Sequence, residues 1–94
     1  MNEDEFKKFR KLLEETYLFP ATYTHKFIGK ASPAFFSAVL EFEARFVGLT
    51  KTGERKSAQG NHIALTYSFI AGSSDDIIEL TRETQKIIDL LYIL

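Results

Sequence analysis

Only two imidazoles occur in the chain, His25 and His62, and there is no cysteine. Disulfides and zinc-thiolate sites are thereby excluded, which leaves the histidine pair for acid–base or metal chemistry. Each histidine sits in a stretch with apolar residues at every second position. His25 keeps step with Tyr23 and Phe27, whereas His62 is out of step with Ile63 and Leu65. Successive side chains of a strand point to opposite faces, so His25 is predicted inside and His62 at the surface on the other side. That separation argues against a shared metal or an acid–base dyad. No catalytic residue, metal site or cofactor is assigned.

Two stretches have the chemistry to hold an anion. Between Lys51 and Asn61 the chain gathers Lys51, Arg55, Lys56, Ser57, Gln59, Gly60 and Asn61. Charged side chains and loop N–H groups of this kind suit a carboxylate or phosphate. The same residues also describe a charged edge strand followed by a tight turn at Gly60-Asn61. The segment is not a P-loop, because GxxxxGK[ST] is absent. The second stretch is Gly29-Lys30-Ala31-Ser32-Pro33, where a strand gives way to a helix. A helix N-terminus attracts a carboxylate, with Gly29, Lys30 and Ser32 as its contacts. A plain capped connection is the alternative.

The elements that position these residues follow from periodicity. Asn2 and Glu5 form a capping box that opens a helix running to Thr16, with Phe6, Phe9, Leu13 and Tyr17 on one stripe. Leu18-Phe19-Pro20 ends it, since the residue before proline is pushed out of the α region. Ala21–Gly29 alternates as a strand. Ser32-Pro33 starts a second helix with Phe35, Val39, Phe42 and Phe46 inward, stopped at Gly48. Leu49 to Ala58 reads as a weak edge strand entering a loop, and Ile63, Leu65, Tyr67 and Phe69 mark a half-buried strand. Ser73 with Asp76 predicts a further capping box, opening a helix to about Lys86 with Ile77, Leu80, Thr84 and Ile87 inward. Asp89 to Leu94 is a short apolar strand.

The order is a helix followed by β-α-β-β-α-β. Right-handed crossovers place both later helices on one side of the sheet. The expected fold is α+β, a two-layer ferredoxin-like sandwich with a four-stranded antiparallel sheet. Residues 1–18 are an N-terminal helical extension and residues 19–94 the domain proper. The other sheet face would carry Thr22, Thr24, Lys26, Ile28, Thr66, Ser68 and Ile70. Leu90 to Leu94 are all apolar, so some apolar surface falls on that side. Homodimerisation through the face would cover it, but cover from the N-terminal helix is expected, because Phe6, Phe9 and Leu13 need a home.

Ninety-four residues fit a single domain, and 45% hydrophobic with 27% charged residues is ordinary globular composition. A net charge of −1 lacks the basic footprint of most nucleic-acid-binding domains. No apolar run approaches a membrane span, and the start Met1-Asn2-Glu3-Asp4-Glu5 is acidic where a signal peptide is basic. A cytoplasmic protein is expected.

Phe19-Pro20-Ala21-Thr22-Tyr23-Thr24-His25-Lys26-Phe27-Ile28-Gly29 resembles the opening FPxxFxxKVxG of the YbeD-like family of small bacterial proteins. Arg55-Lys56-Ser57-Ala58-Gln59-Gly60-Asn61 resembles that family's RPSSKGNY segment, and the similarity runs from about Leu18 to Leu94. Lys56 stands in place of the proline, Ala58 of the second serine and His62 of the tyrosine. The resemblance implies a ferredoxin-like, ACT-like sandwich of unknown function, with a suggested regulatory role near lipoate metabolism. ACT domains bind amino acids at a strand–helix turn like Gly29–Pro33.

The leading expectation is therefore a non-enzymatic regulatory or adaptor domain that binds a protein partner or a small anionic metabolite. An RNA-binding module shares the chain order, but Tyr67 and Phe69 are predicted inward and so are lost for base stacking. An acylphosphatase-like enzyme shares the fold, yet the loop after the first strand offers only Lys30 where that chemistry uses arginine. Asn61 is also poorly placed for it.

Overall fold

The structure, a computed structural model, describes Met1–Leu94. Its elements are α1 (Glu3–Thr16), β1 (Ala21–Lys30), α2 (Pro33–Arg45), β2 (Leu49–Lys56), β3 (His62–Ala71), α3 (Ser74–Gln85) and β4 (Leu90–Ile93). The strands form one antiparallel sheet in the order β2-β3-β1-β4. This is the expected ferredoxin-like sandwich. No helix is long and apolar enough to cross a membrane.

Alternation decides what each strand buries. In β3, Ile63, Leu65, Tyr67 and Phe69 are buried; in β1, His25, Phe27 and Gly29. They meet Phe35, Val39 and Phe42 of α2 and Ile77, Leu80 and Thr84 of α3. Rings dominate this layer: Phe27 stacks on Tyr67 at 5.6 Å and takes Phe42 edge-on at 5.7 Å. Ser32 caps α2 as predicted, its Oγ accepting from the Phe35 N–H at 3.1 Å, with Pro33 in the first turn. The Asn2–Glu5 capping box of α1 is also present.

Two expectations are corrected. First, α1 does not cover the open sheet face; it docks on α3. Phe6 and Leu13 are buried in the common core. Arg82 of α3 pairs with Glu3 at 2.8 Å and lies over the Phe6 ring at 4.1 Å, and Arg10 reaches Ser74 and Asp75. The reason lies in α3, whose apolar surface is wider than one stripe. Ile78 and Thr81 flank its core face and are buried too, whereas the open sheet face offers mainly Thr, Ser and Lys. Burying α1 against the more apolar surface releases more water-exposed hydrocarbon.

Second, Ser73 and Asp76 do not form a capping box. Ser73 is the N-cap, but its side chain makes no cap hydrogen bond. Ser73 is fully extended (φ −161°, ψ 170°), and the group that meets the Asp76 carboxylate is the Gly72 N–H, at 2.7 Å.

Candidate binding surface on the open sheet face

Residues that pair across neighbouring strands share a face, so the register maps the uncovered side directly. One row crosses all four strands: Arg55 opposite Ala64, Ala64 opposite Ile28, and Ile28 opposite Tyr92. One step toward the β2–β3 hairpin, Lys30 opposes His62. One step the other way, Gly53, Thr66 and Lys26 align, then Thr50, Ser68 and Thr24, and finally Ile70 and Thr22. Lys26, Lys30, Arg55, His62 and Tyr92 are all exposed.

The face carries no acidic side chain. Apart from Glu54 and Asp89, every Asp and Glu lies on a helix or within its first turn. Glu54 pairs with Lys51 at 3.2 Å and opposes Leu65, which points to the helix layer. The Asp89 carboxylate accepts from the Ser32 hydroxyl at 2.6 Å. The acids of this chain of net charge −1 thus lie with the helix layer, while Lys26, Lys30 and Arg55 stand on the open sheet. Cations on a face without acidic side chains favour a positive field there even when the overall charge is near zero.

The predicted anion loop is partly assembled. Arg55, Lys56 and Ser57 line a shallow notch of about 210 Å³ together with Ile28, His62 and Ala64. Ser57, Gln59 and Asn61 border a neighbouring depression with Ala58 and His62. Gly60 supplies the positive φ of the turn, +76°. Several loop N–H groups close the turn on itself: Ser57 N–H donates to the His62 carbonyl, Gly60 N–H to the Ser57 carbonyl, and His62 N–H to Ser57 Oγ. Lys51 stands apart, opposite Tyr67 further down β2.

The strand–helix turn divides. Lys30 joins the open face. Ser32 is committed to the Phe35 N–H and to Asp89, so the protein's own carboxylate already sits at this helix start. Gly29 is needed for packing, because a Cβ there would overlap the Phe35 ring. Ala31 N–H donates to the Asn61 carbonyl at 2.9 Å, which ties this turn to the hairpin. The two predicted stretches therefore meet at one cationic end of the sheet.

The histidines lie on opposite faces, as their parity required. His25 is 1% exposed, and burial lowers its pKa to about 4, so the ring is neutral near pH 7. Its Nδ1 faces no protein donor. Tyr67 donates to a Glu43 carboxylate oxygen at 2.6 Å, and burial with that carboxylate pushes the phenol pKa upward. No group of three or more His, Asp or Glu converges as a metal-ligand set would. An apolar groove of about 440 Å³ runs between α1, α3 and β4, past Phe9, Tyr23, Gln85 and Leu94, and Tyr92 forms part of its lining. His62 and Tyr92 were absent from the predicted site residues. The signal available for them was their shared parity with Lys30 and Ile28, which becomes visible only once the register is known.

These features define a class: a small α+β sandwich of ferredoxin-like topology whose sheet is covered on one side only. The chain belongs to the family described as "Protein of unknown function (DUF493)", whose model matches residues 14–94 and to which YbeD-like proteins belong. That span takes in all four strands with α2 and α3, and leaves the first turns of α1 outside. No curated protein and no solved structure matches the chain.

Proposed function

We propose that this protein is a non-enzymatic adaptor or regulatory domain that binds an anionic partner, a protein or a small metabolite, on the open face of its sheet. The observation that carries this reading is the exposed set Lys26, Lys30 and Arg55, with His62 and Tyr92, on a face without an acidic side chain. Side chains that would serve chemistry elsewhere are engaged inside the fold: His25 with Thr84, Tyr67 with Glu43, Ser32 with Asp89. The strand–helix turn contributes Lys30 to this face in preference to forming a pocket of its own. A two-fold dimer through the open face would set these cations against one another, which favours an unlike partner.

The test is binding of poly-glutamate and poly-lysine to the full chain at low and high salt. Poly-glutamate is expected to bind, to weaken steeply with salt, and to lose about tenfold or more in affinity in the Lys30→Glu/Arg55→Glu variant. Equal affinity of the variant, or preference for poly-lysine, would contradict the reading.

A further inference from the structure

We infer that the occupant of the open face is an acidic protein segment that also carries apolar side chains, laid across the strands along the Arg55–Ala64–Ile28–Tyr92 row. The inference rests on the binding role proposed above and names its partner. That row runs from a guanidinium through two aliphatic groups to an aromatic ring, over roughly 14 Å at about 4.8 Å per strand. Lys30 and Lys26 flank it, each about 7 Å from the row along β1. A complementary ligand therefore needs several anionic groups spaced over the face and an apolar group among them. Ile28, Ala64 and the Tyr92 ring would lose water to that apolar group, while Arg55 can take a carboxylate in two-point fashion.

Three other occupants fit the same face less well. A small anion needs donors converging on one point, and these cations are spread over two strands and three rows. The notch beside Arg55, at about 210 Å³, holds one side-chain group and is smaller than the roughly 300–1,000 Å³ of ordinary ligand pockets. Single-stranded RNA needs rings on which to stack bases. Outward positions of the central strands are Thr22, Thr24, Lys26, Ile28, Ala64, Thr66, Ser68 and Ile70, and the face's one ring, Tyr92, lies on the edge strand. A second copy would have to offer its acidic helix layer, leaving its own open face free, and such head-to-tail contacts do not close.

The experiment measures binding of the full chain to four probes: a short peptide of alternating leucine and glutamate, poly-glutamate, oligouridylate and inorganic phosphate. The Leu–Glu peptide is expected to bind best and to lose about tenfold in Arg55→Glu. Tyr92→Ala should weaken the peptide several-fold, and by a larger factor than it weakens poly-glutamate. Arg55 and Tyr92 are exposed, so both variants should melt as the parent does; Lys30→Glu repeats the charge test on another strand. Oligouridylate or phosphate binding as tightly as the peptide would overturn the acidic-segment inference and leave the binding role standing. Indifference of the peptide to Tyr92→Ala would do the same. Self-association abolished by Arg55→Glu would assign the face to a second copy and also overturn it. Failure of every anionic probe to bind would remove the binding role itself.

Discussion

His25 donates its Nε2–H to the Thr84 hydroxyl, 2.9 Å away across the sheet–helix interface, and that hydroxyl donates in turn to the Leu80 carbonyl at 2.7 Å. The second bond uses the only hydroxyl hydrogen, so Thr84 can only accept from the ring. The tautomer is thereby fixed, with Nδ1 unprotonated and buried.

A pH dependence of stability follows. The ring's pKa is about 4 in the folded protein against the usual 6.5 of an unfolded chain, because burial disfavours the charged form. Between those values the unfolded chain binds the proton and the folded one does not. The stabilisation is complete above pH 6.5 and is lost as pH falls toward 4, by roughly 3 kcal/mol in all. Urea unfolding at pH 7 and pH 4.5 measures it, and His25→Phe should flatten that interval.

The Tyr67–Glu43 bond at 2.6 Å joins a buried phenol to a half-buried carboxylate. Tyr67→Phe keeps the stacking on Phe27 and removes the hydrogen bond. A loss of about 1.5 kcal/mol is expected in denaturant unfolding.

Gly29 lies under the fully buried Phe35 ring. Gly29→Ala should cost about 1–3 kcal/mol by overpacking. Phe35→Leu in the same chain should recover part of the loss by making room for the methyl group. Thermal denaturation of the two variants reads both effects.

Helix α1 shares the core of the domain. Phe6→Ala should cost about 3 kcal/mol, because it opens a cavity beside α3 and removes the ring under Arg82. Arg82→Ala should cost much less, since its ion pair with Glu3 is exposed. The comparison by urea unfolding distinguishes docking by packing from docking by charge.

Local signals were strong enough to read most of the fold. Alternation from Ile63 to Phe69 set the inward face of β3, Ser32-Pro33 set the start of α2, and parity alone separated His25 from His62. Other features depend on contacts between distant residues. Whether α1 covers the sheet or α3 turns on Ile78 and Thr81, whose burial has no meaning until α1 is beside them. The Ser73–Asp76 spacing fits a capping box, but the extended backbone at Ser73 gave the carboxylate a different N–H. The open face was legible in parts, with Thr22, Thr24, Lys26 and Ile28 on one side of β1. The row that starts at Arg55 was not, because joining Arg55 to Ile28 and Tyr92 requires the register of three strand pairs. Net charge concealed it further, since the acids that balance Lys26, Lys30 and Arg55 sit on the helices.

The most direct measurement is an amide-resolved NMR titration of the full chain with poly-glutamate at low salt. The account predicts shifts confined to Lys26, Ile28, Lys30, Arg55, His62, Ala64 and Tyr92, reversed by added salt. Shifts centred on α1, α2 or α3, with the open sheet face silent, would contradict it.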